Sequence, residues 1–304
     1  MIAALLLSAA LAAPLPVPSA GRIERLALAS AHVPARPVDV WLPPGYPAAA
    51  PYAVLYLHDG QMLFDAGITW NRQEWRVDEV AAALQAAGEV RPFIVVGVWN
   101  AGDGRHAEYF PAPAYARLGE AERAALHAIE RTPGQPLLPG PPTSREHLRF
   151  LVEDVRPAVN ARFAVSTTPE DTVVGGSSMG GLAALHALMA HPDVFGGVAA
   201  LSTHWPGALP REHGALPEAL LAHLAADLPA AGRHRLYFDL GTATLDAAYP
   251  PLQARADAIV RGKGYGPGDW TTRVFEGAEH TEQAWSERLD QPLRFLLPPR
   301  RAGD

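Results

Sequence analysis

The sequence predicts an α/β fold: a predominantly parallel central sheet with helices on both faces. Three observations carry this. Residues 52–57 (Tyr-Ala-Val-Leu-Tyr-Leu) and 93–99 (Phe-Ile-Val-Val-Gly-Val-Trp) are continuous apolar runs, the mark of strands buried on both faces of a parallel sheet. Between them, residues 77–87 read as a helix, which gives one crossover unit. Residues 171–182 (Asp-Thr-Val-Val-Gly-Gly-Ser-Ser-Met-Gly-Gly-Leu) read as strand, sharp turn and helix, with a serine at the apex.

The remaining elements follow in order. Residues 23–33 and 38–42 are predicted as opening strands joined through the turn formers Pro34 and Pro37. A helix is expected over 148–161, then the strand at 171–174 and a helix over 181–191 that Pro192 stops. Strands at 197–202, 235–240 and 271–275 come next, and a closing helix spans 282–297. Two segments interrupt this alternation. Residues 111–144 hold a polar helix candidate (120–131) and a Pro/Gly-rich run (133–142), and residues 206–217 form a second Pro/Gly-rich loop. Both follow the carboxyl end of a strand, the edge where open α/β sheets place binding crevices. The stretch around 111–144 is expected to act as a lid-like insertion, with a roleless surface excursion as the alternative. No internal repeat or domain boundary interrupts residues 21–304, which are expected to form a single domain.

Composition limits the function classes. The chain has 304 residues, 48% of them hydrophobic, a net charge of −7 and no cysteine. The charge is spread along the chain, so neither a nucleic-acid footprint nor a polybasic membrane patch is expected. Absence of cysteine excludes disulfides, thiolate metal sites and a cysteine nucleophile. No close histidine pair has metal-ligand spacing, so no metal is expected. Residues 2–11 form an apolar run too short to span a bilayer, closed by the small-residue pattern Ala10, Leu11, Ala12. Residues 1–20 are therefore expected to be a signal peptide or disordered leader. That points to a periplasmic or secreted protein, although no Lys or Arg precedes the run, and a cytoplasmic location stays open.

The chemistry centres on Gly176, Ser177, Ser178, Met179 and Gly180, which fit G-x-S-x-G, the nucleophile elbow. Glycine is needed on both sides because the turn is strained and the flanking strand and helix pass closely. A serine hydroxyl needs a base to take its proton. Of the twelve histidines, His280 is the candidate, because it follows an apolar strand and precedes the last helix. His204, after the 197–202 strand, is a candidate pocket residue. His186 and His191 are expected as packing or surface residues, and His106, His127, His147, His213, His223 and His234 as surface residues. The acid orienting His280 is expected to be Asp246, in the loop beyond Gly241, rather than Asp239 within the preceding strand. Backbone N–H groups of Met179 and Gln61 are the expected oxyanion donors. His58 and Asp59 are expected to brace their loop.

These motifs together resemble the esterase D-like family of α/β-hydrolases, in particular its bacterial branch of siderophore trilactone esterases. The resemblance rests on the segment from Leu57 to Asp65, Thr69 to Asn71 with Glu74 and Trp75, and Val96 to Asn100 with Arg105, Glu108, Tyr109 and Pro111. It also includes Gly176 to Gly181, and Gly277 to His280 with Trp285. It covers about residues 36–297 and implies an α/β-hydrolase fold, serine esterase chemistry and no cofactor. The acid departs from the pattern, since relatives often carry one two or three positions after the glycine matching Gly241, where this chain has Ala243 and Thr244; either Asp246 does the job, or a Ser-His pair held by other groups works without an acid. Arg105, Glu108 and Tyr109 read as a polar cluster beside the crevice. Its arginine either pairs with Glu108 to brace the loop or faces a substrate carboxylate or catecholate.

The expected function is a serine-dependent carboxylic ester hydrolase acting through an acyl-enzyme. Its substrate would be a small-molecule or polysaccharide-linked ester, such as a siderophore lactone or an acyl or feruloyl ester. The alternatives are an acyltransferase of the same fold and a catalytically silent binding protein.

Overall fold

The computed structural model describes residues 13–209 and 213–300. The two apolar runs become neighbouring parallel strands in register, Ala53 opposite Phe93 and His58 opposite Val98. In chain order the strands are β1 (Arg22–Leu26), β2 (Val38–Leu42), β3 (Ala53–His58) and β4 (Phe93–Val98). A small hairpin, β5 (Glu130–Thr132) and β6 (Gln135–Pro136), precedes β7 (Thr172–Ser177), β8 (Gly197–Leu201), β9 (Arg235–Gly241) and β10 (Trp270–Phe275). Eight of them form one sheet in the order β1-β2-β4-β3-β7-β8-β9-β10. β2 runs antiparallel to both of its neighbours, β1 and β4, and the pairs from β4 to β10 are parallel.

Alternation along β3 divides the core. Leu55 and Leu57 face the helices Val77–Ala86 and Asp290–Leu296, whereas Val54 and Tyr56 face the other layer. That layer holds Met179–Ala190, Ala215–Asp227 and Pro250–Gly262. Helices therefore cover both faces, as predicted.

Several boundaries differ from the sequence reading, each for a local reason. The first strand stops at Leu26, because the Ser30 hydroxyl accepts from the amides of His32 and Val33 and turns the chain. The elbow strand runs on to Ser177, since glycines at 175 and 176 let it press against its neighbours. A Cβ on Gly175 would stand 3.0 Å from Ala199 Cβ. The expected helix at 148–161 begins at Ser144 and passes through a π-helical turn, Phe150–Val155, before Arg156–Arg162. The closing helix splits into Glu282–Ser286 and Asp290–Leu296. The polar helix at 120–131 ends at His127, where the hairpin takes over. Residues 13–20, set aside with the leader, are fastened to the domain. The carbonyls of Ala13 and Pro14 accept from Arg25, and the amides of Val17 and Ala20 donate to Asp65 and Asp78. The apolar run at 2–11 and the pattern ending at Ala12 lie outside the described residues. Among the described residues no helix is long and apolar enough to cross a membrane.

Candidate active site

The serine turn has the strained geometry its sequence implies. Ser178 has φ 57° and ψ −122°, which a non-glycine residue holds only when its surroundings enforce it. Its amide donates to Leu201 O at 2.9 Å, and its carbonyl accepts from His204 N at 3.1 Å, tying the apex to the neighbouring strand end. Side chains on the flanking glycines would clash. A Cβ on Gly176 would lie 2.8 Å from the Gly180 carbonyl carbon, and one on Gly181 would lie 2.9 Å from Thr203 Oγ1. Met179 begins the buried helix that follows, one residue beyond the serine.

The loops after β9 and β10 meet through another glycine. A Cβ on Gly241 would stand 2.1 Å from Ala278 O, and the amides of Thr242 and Ala243 donate to that same carbonyl. This contact brings Asp246 to His280, with Oδ1 to Nδ1 at 2.5 Å. Thr244 Oγ1 accepts from the His280 amide at 2.9 Å, so this loop anchors the histidine backbone. Asp246 Oδ2 accepts from Ser202 Oγ and from Gly241 N, each at 2.6 Å. Burial alone would raise this carboxyl, but the hydrogen bonds from His280, Ser202 and Gly241 outweigh it and hold it below the usual carboxylate range. The His280 ring is flanked edge-on by Tyr249 (5.6 Å) and Trp285 (5.0 Å).

Ser178 and His280 line one cleft of about 660 Å³, together with Gln61, Arg105, Arg131 and Leu137. Arg131 and Leu137 belong to the 111–144 insertion, which therefore forms a wall of the cleft. No hydrogen bond joins Ser178 to His280. The Tyr249 phenol lies beside the serine side chain. Gln61 sits in the short turn after β3, with its Oε1 accepting from Asn100 N at 3.3 Å. A separate cavity of about 300 Å³ between helix Glu120–His127, Pro206, Leu209 and the start of helix Ala215–Asp227, where the predicted 206–217 loop has already become helical, contains none of the candidate residues.

Three expectations need correction. Arg105 does not pair with Glu108. It grips Asp59 through two 2.7 Å contacts, while Glu108 is held by Arg36, also by two 2.7 Å contacts. Asp59 also accepts from Asn100 Nδ2, and its amide donates to Tyr109 Oη, so the loop after β3 is braced as expected, though by Arg105. His204 does not reach the cleft, because both ring nitrogens are occupied. Nδ1 meets Tyr249 Oη at 2.5 Å and Nε2 meets Ala208 O at 2.9 Å. Burial lowers its pKa to about 4, so the ring is neutral and braces Tyr249. His106, His147, His223 and His234 are buried rather than on the surface. His147 packs at a tilt against His58, and His223 edge-on against His186, while His106 lines the cleft. Their positions on short or Ala/Leu-rich segments gave no periodic signal of burial. Sequence reasoning also missed Ser202 and Tyr249, which touch the acid and the histidine only through tertiary contacts.

A mostly parallel sheet in this strand order, with a serine on a strained turn after β7 and a carboxylate–histidine pair on the loops after β9 and β10, defines an α/β-hydrolase-type protein. The chain belongs to the esterase family described as "Putative esterase", whose model matches residues 34–296. No curated protein matches it in sequence. Among solved structures it resembles a ferulic acid esterase at TM-score 0.60 and 18% identity, covering 91% of this chain and 97% of that one. It resembles an IroE-like serine hydrolase from Shewanella oneidensis at TM-score 0.63 and 19% identity, covering 91% and 79%. The enterobactin esterase from Shigella flexneri follows the same fold at TM-score 0.64 and 20% identity, covering 93% of this chain but 62% of that one. At these identities the likeness is one of fold, and the family supports carboxylic ester hydrolysis as the activity.

Proposed function

We propose that the protein is a serine carboxylic ester hydrolase working through an acyl-enzyme. The observation that carries this reading is the 2.5 Å Asp246–His280 bond in the same cleft as the strained Ser178. With Nδ1 committed to Asp246, the imidazole has Nε2 free to act as base. Ser178 Oγ attacks the ester carbonyl as His280 Nε2 takes its proton, and the C–O bond to the alcohol breaks as that proton passes to the leaving oxygen. Water then attacks the acyl-serine, His280 takes one of its protons, and the acid leaves as Ser178 is restored. The amides of Met179 and Gln61 are assigned to the developing oxyanion, since one begins the helix after the serine and the other lies across the cleft.

Trp70 gives the cleft an aromatic rim, and Arg131 lines it beside the Arg105–Asp59 pair. Feruloyl esters and siderophore lactones, suggested by the names of the structural neighbours, are therefore the first substrate classes to screen. The deciding experiment compares wild type with Ser178→Ala on short and medium p-nitrophenyl esters, with fluorophosphonate labelling of both. Turnover should fall about 10⁴- to 10⁶-fold and labelling should vanish. A variant that keeps both would remove Ser178 from the reaction.

A further inference from the structure

Ser202 lies just beyond β8, fully buried, in an unfavourable backbone conformation with φ 41°. Its hydroxyl has three polar partners: Trp285 Nε1 at 3.0 Å, Arg288 Nη2 at 2.8 Å and Asp246 Oδ2 at 2.6 Å. An indole N–H and a guanidinium can only donate, and an ionised carboxylate can only accept. The serine oxygen therefore accepts two hydrogen bonds, and its one proton is directed to Asp246. The backbone is held as firmly, with Ser202 N donating to Asp239 O at 2.8 Å.

A carboxylate swings freely about its Cβ–Cγ bond unless something fixes it. Asp246 Oδ2 carries two donors, the Ser202 hydroxyl and the Gly241 amide, which leaves Oδ1 turned toward His280 Nδ1. The same hub restrains the histidine from its other side, because Trp285 both donates to Ser202 and packs its ring edge-on against His280. We infer that Ser202 is a positioning residue. Its proton direction is dictated by Trp285 and Arg288, and it pins one oxygen of Asp246 so that the other meets His280. The inference rests on the serine hydrolase reading and adds to it a device that no sequence motif marks.

The test compares wild type, Ser202→Cys and Ser202→Ala by kcat and KM on a p-nitrophenyl ester. It also follows the low-field proton resonance of the His280 Nδ1–H, with circular dichroism to check the fold. Removing the hydroxyl should lower kcat about 10- to 100-fold, as for other groups that orient a catalytic partner. KM should stay within about threefold, and the resonance should shift or broaden. A thiol is a weak donor, so Ser202→Cys should fall between the two. If only packing mattered, the bulkier thiol would do more harm than alanine, and that order overturns the inference. So does a Ser202→Ala enzyme with wild-type kcat and an unmoved resonance. Loss of activity in Ser178→Ala beside an intact Ser202→Ala would sink this inference alone, whereas an active Ser178→Ala would sink the hydrolase reading beneath it.

Discussion

Asp239 and Asp246 lie seven positions apart, both wholly buried, yet they behave as opposites. Asp246 has a donor on each oxygen and two on one of them, and its carboxyl is held below its usual range despite burial. Asp239 has Arg288 Nη2 at 3.0 Å and Ser202 N at 3.3 Å, both on Oδ1, while Oδ2 has no partner. Burial raises its pKa to about 6 even with the arginine beside it. The difference teaches that the donors reaching each oxygen set how far the cost of burying a carboxylate is offset. Asp246 can support an imidazolium, whereas Asp239 serves as the structural partner of Arg288.

Replacing each aspartate by its isosteric amide probes that contrast. In Asp246→Asn the amide nitrogen can donate to His280 Nδ1 and select the wrong tautomer. The expected loss in kcat is about 10³- to 10⁴-fold, read by ester hydrolysis on folded enzyme. In Asp239→Asn the shape and one acceptor remain, so kcat should stay within about tenfold of wild type while stability falls by about 1–3 kcal/mol. Equal losses in the two variants would erase the distinction. The smallest effect is a pH slope. With a folded pKa near 6 and an ordinary unfolded value near 4, the folded state keeps a proton on Asp239 that the unfolded chain has released. Wild-type stability relative to Asp239→Asn should therefore decline as pH rises from about 4 to about 6. Urea melts across that window check it, and a flat or rising difference contradicts the raised pKa.

Much of this is legible in the sequence. Ser178 and His280 stood out because strand, glycine-flanked serine and helix form a local pattern, and because the histidine follows the last predicted strand. Asp246 was legible only as the better of two candidates, since its partners Ser202 and Gly241 reach it through folding. The pairing of Arg105 with Asp59 was hidden for the same reason, since they lie 46 positions apart. Helices Ala215–Asp227 and Pro250–Gly262 went unread. The first is rich in Ala and Leu and presents no polar stripe, and both carry prolines near their starts that resemble loop punctuation. Proline is well accommodated in a first helical turn, so the punctuation was real but marked a beginning. The apolar strands were easy to read because burial on both faces leaves no polar interruption.

The chain has seven tryptophans, and Trp70, 82% exposed on the rim of the cleft, differs from the rest. Trp41, Trp75, Trp205 and Trp285 are buried, and Trp99 and Trp270 are half-buried. The protein thus carries a built-in optical reporter of cleft occupancy: the red edge of its emission belongs to one indole standing in water. Covering that indole by fluorophosphonate labelling of Ser178 should shift the emission to the blue or quench it. In Trp70→Phe the same labelling should leave the spectrum nearly unchanged, which separates a local signal from a rearrangement of the whole fold.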